Sequence, residues 1–160
     1  MSVKEIIENL SLFNGLRDEE LNTMVKISQV TNYPPGSVII EEGSEGDSLM
    51  IINKGSVDVI QKLDNDDHNI KLATLGKGTF FGEMALIDVA TRSATVVAKE
   101  ETEVITIMQE DVSALLEGEE GLKYIPILVN IARGMSTKLR KANESLSAIS
   151  DILKKYYYSI

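Results

Sequence analysis

Between Phe80 and Thr95 the chain places a glutamate, an arginine, a glycine and several small or hydroxyl residues within one short stretch: Phe80-Phe81-Gly82-Glu83-Met84-Ala85-Leu86-Ile87-Asp88-Val89-Ala90-Thr91-Arg92-Ser93-Ala94-Thr95. Gly82 permits a tight turn and lets backbone N–H groups approach a ligand closely. The run Glu83-Met84-Ala85-Leu86-Ile87 predicts one short helical turn, whose first N–H groups lack intrahelical partners and favour an anion. Arg92 supplies a guanidinium for the same anion. Ionised Glu83 only accepts hydrogen bonds, so it suits a hydroxyl rather than the anion itself. An anion beside a hydroxyl, with an apolar body attached, outlines a cyclic nucleotide. The plain alternative is a surface ion pair of Glu83 and Arg92 beside a turn.

Phe81-Gly82-Glu83-Met84-Ala85-Leu86, followed by Arg92-Ser93-Ala94-Thr95, resembles the phosphate-binding cassette of the cyclic nucleotide-binding domain family. That family includes the regulatory subunits of cyclic AMP-dependent kinase, bacterial catabolite activators and nucleotide-gated channels. The resemblance covers roughly Leu12 to Gln109, and more loosely the helix beyond. It implies that Glu83 accepts from the ribose 2′-hydroxyl and that Arg92 pairs with an exocyclic phosphate oxygen. Backbone N–H groups around Gly82, Met84 and Ala85, and near Ser93 and Ala94, would complete the cradle, with Phe81 entering it.

Stepping outward from these residues, the composition bounds what can hold them. The chain has 160 residues, 43% hydrophobic and 26% charged, which suits one soluble domain with an appended helix. Cysteine is absent, excluding disulfides, thiolate metal sites and a cysteine nucleophile, and fitting a cytoplasmic setting. His68 is the single histidine, which excludes multi-histidine zinc sites and leaves any Ser-His-Asp triad dependent on a loop residue. The acidic run Asp64 to Asn69 lacks the EF-hand order and reads as a solvated hairpin loop. With 16 basic and 25 acidic side chains the net charge is −9, against nucleic acid and against anionic membranes. Neither a signal peptide nor a membrane-length apolar run is present, and no catalytic residue or metal site is expected. A phosphate must therefore be held by a local pocket.

The elements that position the site read as follows. Residues 1–28 form an N-terminal helical segment, with Ser2 capping a first helix and Asp18-Glu19-Glu20 opening a second. Phe13 and Leu16 anchor the turn between them. Residues 29–109 hold the β block, opened by Pro34-Pro35-Gly36. Strands are expected over 37–42, 48–53, 56–63, 70–75, 93–99 and 102–108, separated by turn signals. Many short strands in a small domain predict a mainly β fold with flanking helices, a β jelly roll or double-stranded β-helix. Residues 110–160 are C-terminal helices: one over 109–117, a two-glycine hinge at Gly118 to Gly121, and a long helix from Pro126. Along it Leu128, Ala132, Met135, Leu139, Ala142, Leu146, Ile149 and Leu153 recur at alternating steps of four and three, a heptad seam suited to a second copy of the chain. The alternative is that this helix folds back on its own domain.

In the family the long helix closes over the base and dimerises in bacterial members. By that resemblance Ala142 and Asn143 lie nearest the base, and the Asn143 amide could read a purine edge. A hydroxyl at Ser93 accompanies cyclic AMP in bacterial activators and cyclic GMP elsewhere, and the balance favours cAMP over cGMP. The ligand-binding candidates are thus Phe81, Gly82, Glu83, Met84, Ala85, Arg92, Ser93, Ala94 and Asn143. The expected partners are a cyclic nucleotide, a second copy through the C-terminal helix and a downstream effector protein. Too few residues follow Leu153 for a helix-turn-helix, so the chain is expected to be a free-standing sensor or a fragment without its effector. Two other classes compete: an interaction module that keeps the fold without the ligand, and a small enzyme on a jelly-roll scaffold. Intact Glu83 and Arg92 weigh against the first, and the lack of histidine and cysteine ligands against the second.

Overall fold

Runs rich in Val, Ile and Thr form eight strands in a computed structural model, which describes residues 2–62, 69–86 and 91–157. They are β1 (Ser28–Tyr33), β2 (Val38–Ile40), β3 (Ser48–Lys54), β4 (Ser56–Lys62), β5 (Asn69–Gly76), β6 (Phe80–Phe81), β7 (Thr95–Ala98) and β8 (Thr102–Met108). All pairings are antiparallel, in two four-stranded sheets ordered β1-β8-β3-β6 and β2-β7-β4-β5. The architecture is the expected jelly roll with flanking helices. Four α-helices accompany it: α1 (Val3–Glu8), α2 (Asp18–Lys26), α3 (Gln109–Glu117) and α4 (Ile125–Tyr157).

Strand β3 shows why the layers stack as they do. Its burial is nearly continuous, and successive side chains point to opposite faces. Leu49 and Ile51 join Ile105 and Ile107 of β8 beneath the helices, meeting Ile7, Leu12, Phe13, Met24, Ile127 and Ile131. Ile52 and Met50 face the other way, into a second core with Ile40, Val57, Phe81 and Val96 between the sheets. Each fully buried aliphatic side chain contributes roughly 1.5–3 kcal/mol. The first sheet is therefore a middle layer, with helices on one side and the second sheet on the other.

Two strands depart from the sequence expectation. The β block starts at β1, ahead of Pro34-Pro35-Gly36 rather than after it. Its residues 29–32 are exposed at the sheet edge, so no apolar alternation announced it. Strand β6 is only two residues long and pairs with Met50 and Ile51. It delivers the chain directly into the Gly82 turn. Of the acidic run, residues 64–68 lie outside the described part, as does His68.

Helix α4 has 33 residues, and only its start is docked. Ile127 and Ile131 are fully buried, and Met135 is half-buried against the same core. At its start the inward stripe runs one position ahead of the expected seam, with Leu128 half-buried and Ala132 exposed, and the two meet at Met135. The exposed residues continue the docked face: Ile149 lies five turns beyond Ile131, and Leu153 five turns beyond Met135. Leu139, Leu146, Ile149 and Leu153 are each more than half exposed, at 63%, 64%, 53% and 51%. Asn130 fastens the docked part, donating to the carbonyls of Leu12 at 3.0 Å and Asn14 at 2.8 Å.

Candidate ligand-binding site

The expected helical turn is present as a 3₁₀ turn over Glu83–Leu86, entered through Gly82 at φ +73°. That φ lies in the left-handed region, where a side chain is strained. A methyl group there would also come within 2.4 Å of Arg92 Nη1 and 2.8 Å of the Ser48 carbonyl. Glycine is needed because the guanidinium passes directly under the turn. Gly82→Ala should cost about 1–3 kcal/mol in backbone strain alone and push Arg92 out of place. Thermal unfolding and a nucleotide titration would register the two effects separately.

Arg92 is placed by its backbone first. Its N–H donates to the Ser44 carbonyl at 2.8 Å, and its carbonyl accepts from the Gly43 N–H at 2.8 Å. The side chain turns inward, where Nη2 donates to the Ser48 carbonyl at 2.9 Å and to Ser48 Oγ at 3.0 Å. Asp47 lies 3.9 Å from the same nitrogen, and Ser48 Oγ is 3.0 Å from Asp47 Oδ1. Burial pulls the guanidinium below its usual arginine range, and Asp47 partly opposes this. It stays a cation at neutral pH. One edge is thus spent on protein acceptors, while Nη1 remains beside Gly82.

Glu83 is also buried, at 6% exposure. It does not pair with Arg92, as the surface-pair alternative would have it. Its Oε1 instead accepts from Nζ of Lys138, two turns past the docked base of α4. The lysine ammonium lies 5.7 Å from the centroid of the Phe80 ring. Gly82, Glu83, Met84, Ala85, Thr91, Arg92, Ser93 and Lys138 line one cavity of about 320 Å³.

Six of the nine candidates thus meet at one place: Gly82, Glu83, Met84, Ala85, Arg92 and Ser93. The other three do not line it. Phe81 is buried in the core between the sheets, supporting the turn from below. Ala94 is half-buried behind Ser93. Asn143 is exposed on α4, five residues beyond Lys138. Sequence reasoning missed Lys138, Thr91, Ser48 and Asp47. Ser48 stands 44 positions before Arg92, and backbone pairing of residues 43–45 with Thr91 and Arg92 brings them together. Lys138 lies 55 positions after Glu83, on a helix read for its apolar seam and for Asn143.

Among the described residues no group of acidic or histidine side chains could hold a metal ion, and no helix is long and apolar enough to cross a membrane. Residues 30–119 match the model of the cyclic nucleotide-binding domain. The chain is 34% identical over 141 residues to the cyclic AMP receptor protein of Thermus thermophilus, covering 87% of this chain and 62% of that protein. It is 31% identical over 147 residues to human cGMP-dependent protein kinase 2, covering 90% of this chain but 19% of the kinase. The crystal structure of the Thermus thermophilus catabolite activator protein superimposes with a TM-score of 0.75 at 33% identity, over 88% of this chain and 63% of that one. The chain therefore spans less than two thirds of these relatives. With the cassette, the jelly roll and this match in agreement, the chain belongs to the cyclic nucleotide-binding domain family, which is regulatory rather than catalytic.

Proposed function

We propose that the protein is a cyclic nucleotide sensor without catalytic activity of its own. A nucleotide binds in the Glu83–Arg92 cavity, and its presence is passed on through α4. The observation that carries this is the convergence of a buried carboxylate and a buried guanidinium on one cavity beside the Gly82 turn. Arg92 takes an exocyclic oxygen of the phosphodiester, and Glu83 accepts from the ribose 2′-hydroxyl. Backbone N–H groups of the 3₁₀ turn, with those near Ser93 and Ala94, complete the cradle. The relatives' names divide between cAMP and cGMP, and the Ser93 hydroxyl favours cAMP. Calorimetric titration with each nucleotide tests the reading, and heat from neither would end it.

The output runs through the exposed seam of α4. Leu139, Ala142, Leu146, Ile149 and Leu153 form a ridge at heptad spacing that a second copy can cover. Asn143, next to that ridge, would meet the base only after closure of the helix or from a partner copy. Leu146→Asp should convert a dimer to a monomer in sedimentation equilibrium without lowering the unfolding temperature of the β domain. A wild-type chain that sediments as a monomer, with and without nucleotide, would remove the dimer from the proposal. Ligand affects that output only by favouring one placement of α4 over another. The effector that reads the placement belongs to the cytoplasm in this proposal, and neither nucleic acid nor membrane is a partner.

A further inference from the structure

Resting on the binding role just proposed, we infer that Lys138 is a positioning residue of the nucleotide site. It holds one oxygen of Glu83 so that the other faces the ribose 2′-hydroxyl, and so ties occupancy of the cavity to the docked placement of α4. The contact is one-sided. Glu83 is 7% exposed along its side chain and Lys138 58%. An ion pair with one partner so exposed adds little to folding stability. Its effect falls on the buried carboxylate, whose charge needs a counter-ion.

The charges lining the cavity make the case. Glu83, Arg92 and Lys138 are its ionisable lining residues among those described, and they sum to +1. Arg92 is already engaged by Ser48, so Lys138 is the cation that fixes Glu83 Oε1. A carboxylate offers about four lone-pair sites over two oxygens, so Lys138 on Oε1 leaves Oε2 for the hydroxyl. The Phe80 ring, 5.7 Å below the ammonium, limits where the lysine can swing.

Position on the chain supplies the coupling. Residues 136–155 of α4 are exposed, and Lys138 is the one among them whose described contact is with the cassette. A ligand whose 2′-hydroxyl fixes Glu83 strengthens the carboxylate's hold on Lys138 and favours the docked helix. By reciprocity, a docked helix favours the ligand.

The test uses the full chain, Lys138→Met to keep the stem, and Lys138→Arg to keep the charge. Each is titrated with cyclic AMP and with 2′-deoxy cyclic AMP. Lys138→Met should weaken cyclic AMP about tenfold, as for loss of a charged hydrogen-bond partner. It should change 2′-deoxy cyclic AMP by less than about twofold, because the two deletions remove one shared interaction. Lys138→Arg should recover most of the loss. Equal weakening of both ligands would make Lys138 a general electrostatic or structural residue and overturn the inference. So would unchanged affinity, or tighter binding by Lys138→Met, which would make the lysine an internal competitor. A wild-type chain that binds neither ligand would overturn the binding role itself, an outcome distinct from each of these.

Discussion

Arg92→Ala should weaken cyclic nucleotide binding by about 2–5 kcal/mol, the usual cost of removing one partner from a buried, hydrogen-bonded charge pair. The side chain is already immobilised before any ligand arrives. Ser48 holds Nη2 through both its carbonyl and its hydroxyl, so little conformational entropy remains to be lost on binding. The fold should respond differently. Among the described residues the nearest carboxylate recorded beside the buried guanidinium is Asp47 at 3.9 Å, an arrangement that contributes little to stability. The unfolding temperature of Arg92→Ala without ligand should therefore not fall. Calorimetric titration beside thermal unfolding checks both statements, and an affinity equal to wild type would remove Arg92 from the site.

Gly121→Ala is expected to damage the fold itself. A methyl group at this position would lie 1.9 Å from the Leu116 carbonyl oxygen and 2.7 Å from its carbon. These are backbone atoms of α3, so no rotamer change relieves the contact. The 3₁₀ turn over Gly121–Tyr124 would have to withdraw from α3, lifting Tyr124, Ile127 and Ile131 from the core. Overpacking of this kind costs about 1–3 kcal/mol and more where backbone must move, and the upper end applies here. Thermal unfolding should show a clear drop, and an unchanged midpoint would show that the close approach does not exist. Gly118→Ala is the control. There the new methyl would meet its nearest neighbour, the Ala114 carbonyl, at 3.4 Å. The pair also revises what the two-glycine segment is for. Gly121 serves close packing between helices rather than backbone freedom.

The cassette was legible because its chemistry is local. Gly82, Glu83 and the turn after it are consecutive, and Arg92 returns on the same excursion of the chain. The central strands were legible for a similar reason, since β3 and β8 are dense in buried Ile, Leu and Val. β1 was not, because an edge strand with exposed residues shows neither alternation nor an apolar run. The groups that fix the site were least accessible. Ser48 and Lys138 act on Arg92 and Glu83 only after backbone pairing and helix docking bring distant positions together. On α4 the apolar residues run along one face of which only the start meets the domain, and spacing alone does not show where the docking stops. Ile127 and Ile131 are buried in the domain, whereas Leu139, Leu146, Ile149 and Leu153 are exposed beyond it.

Helix α4 is anchored at one end, and its 33 residues make a rod about 50 Å long at 1.5 Å per residue. From Met135 to the far end is about 33 Å, so a tilt of about 10° at the anchored base swings the tip through about 6 Å. A displacement too small to disturb the β-sheets thus becomes, at the free end, a movement of roughly one helical turn. Under the proposed sensor role, such a rod would turn a sub-ångström adjustment near the cassette into a change of reach that another molecule can feel.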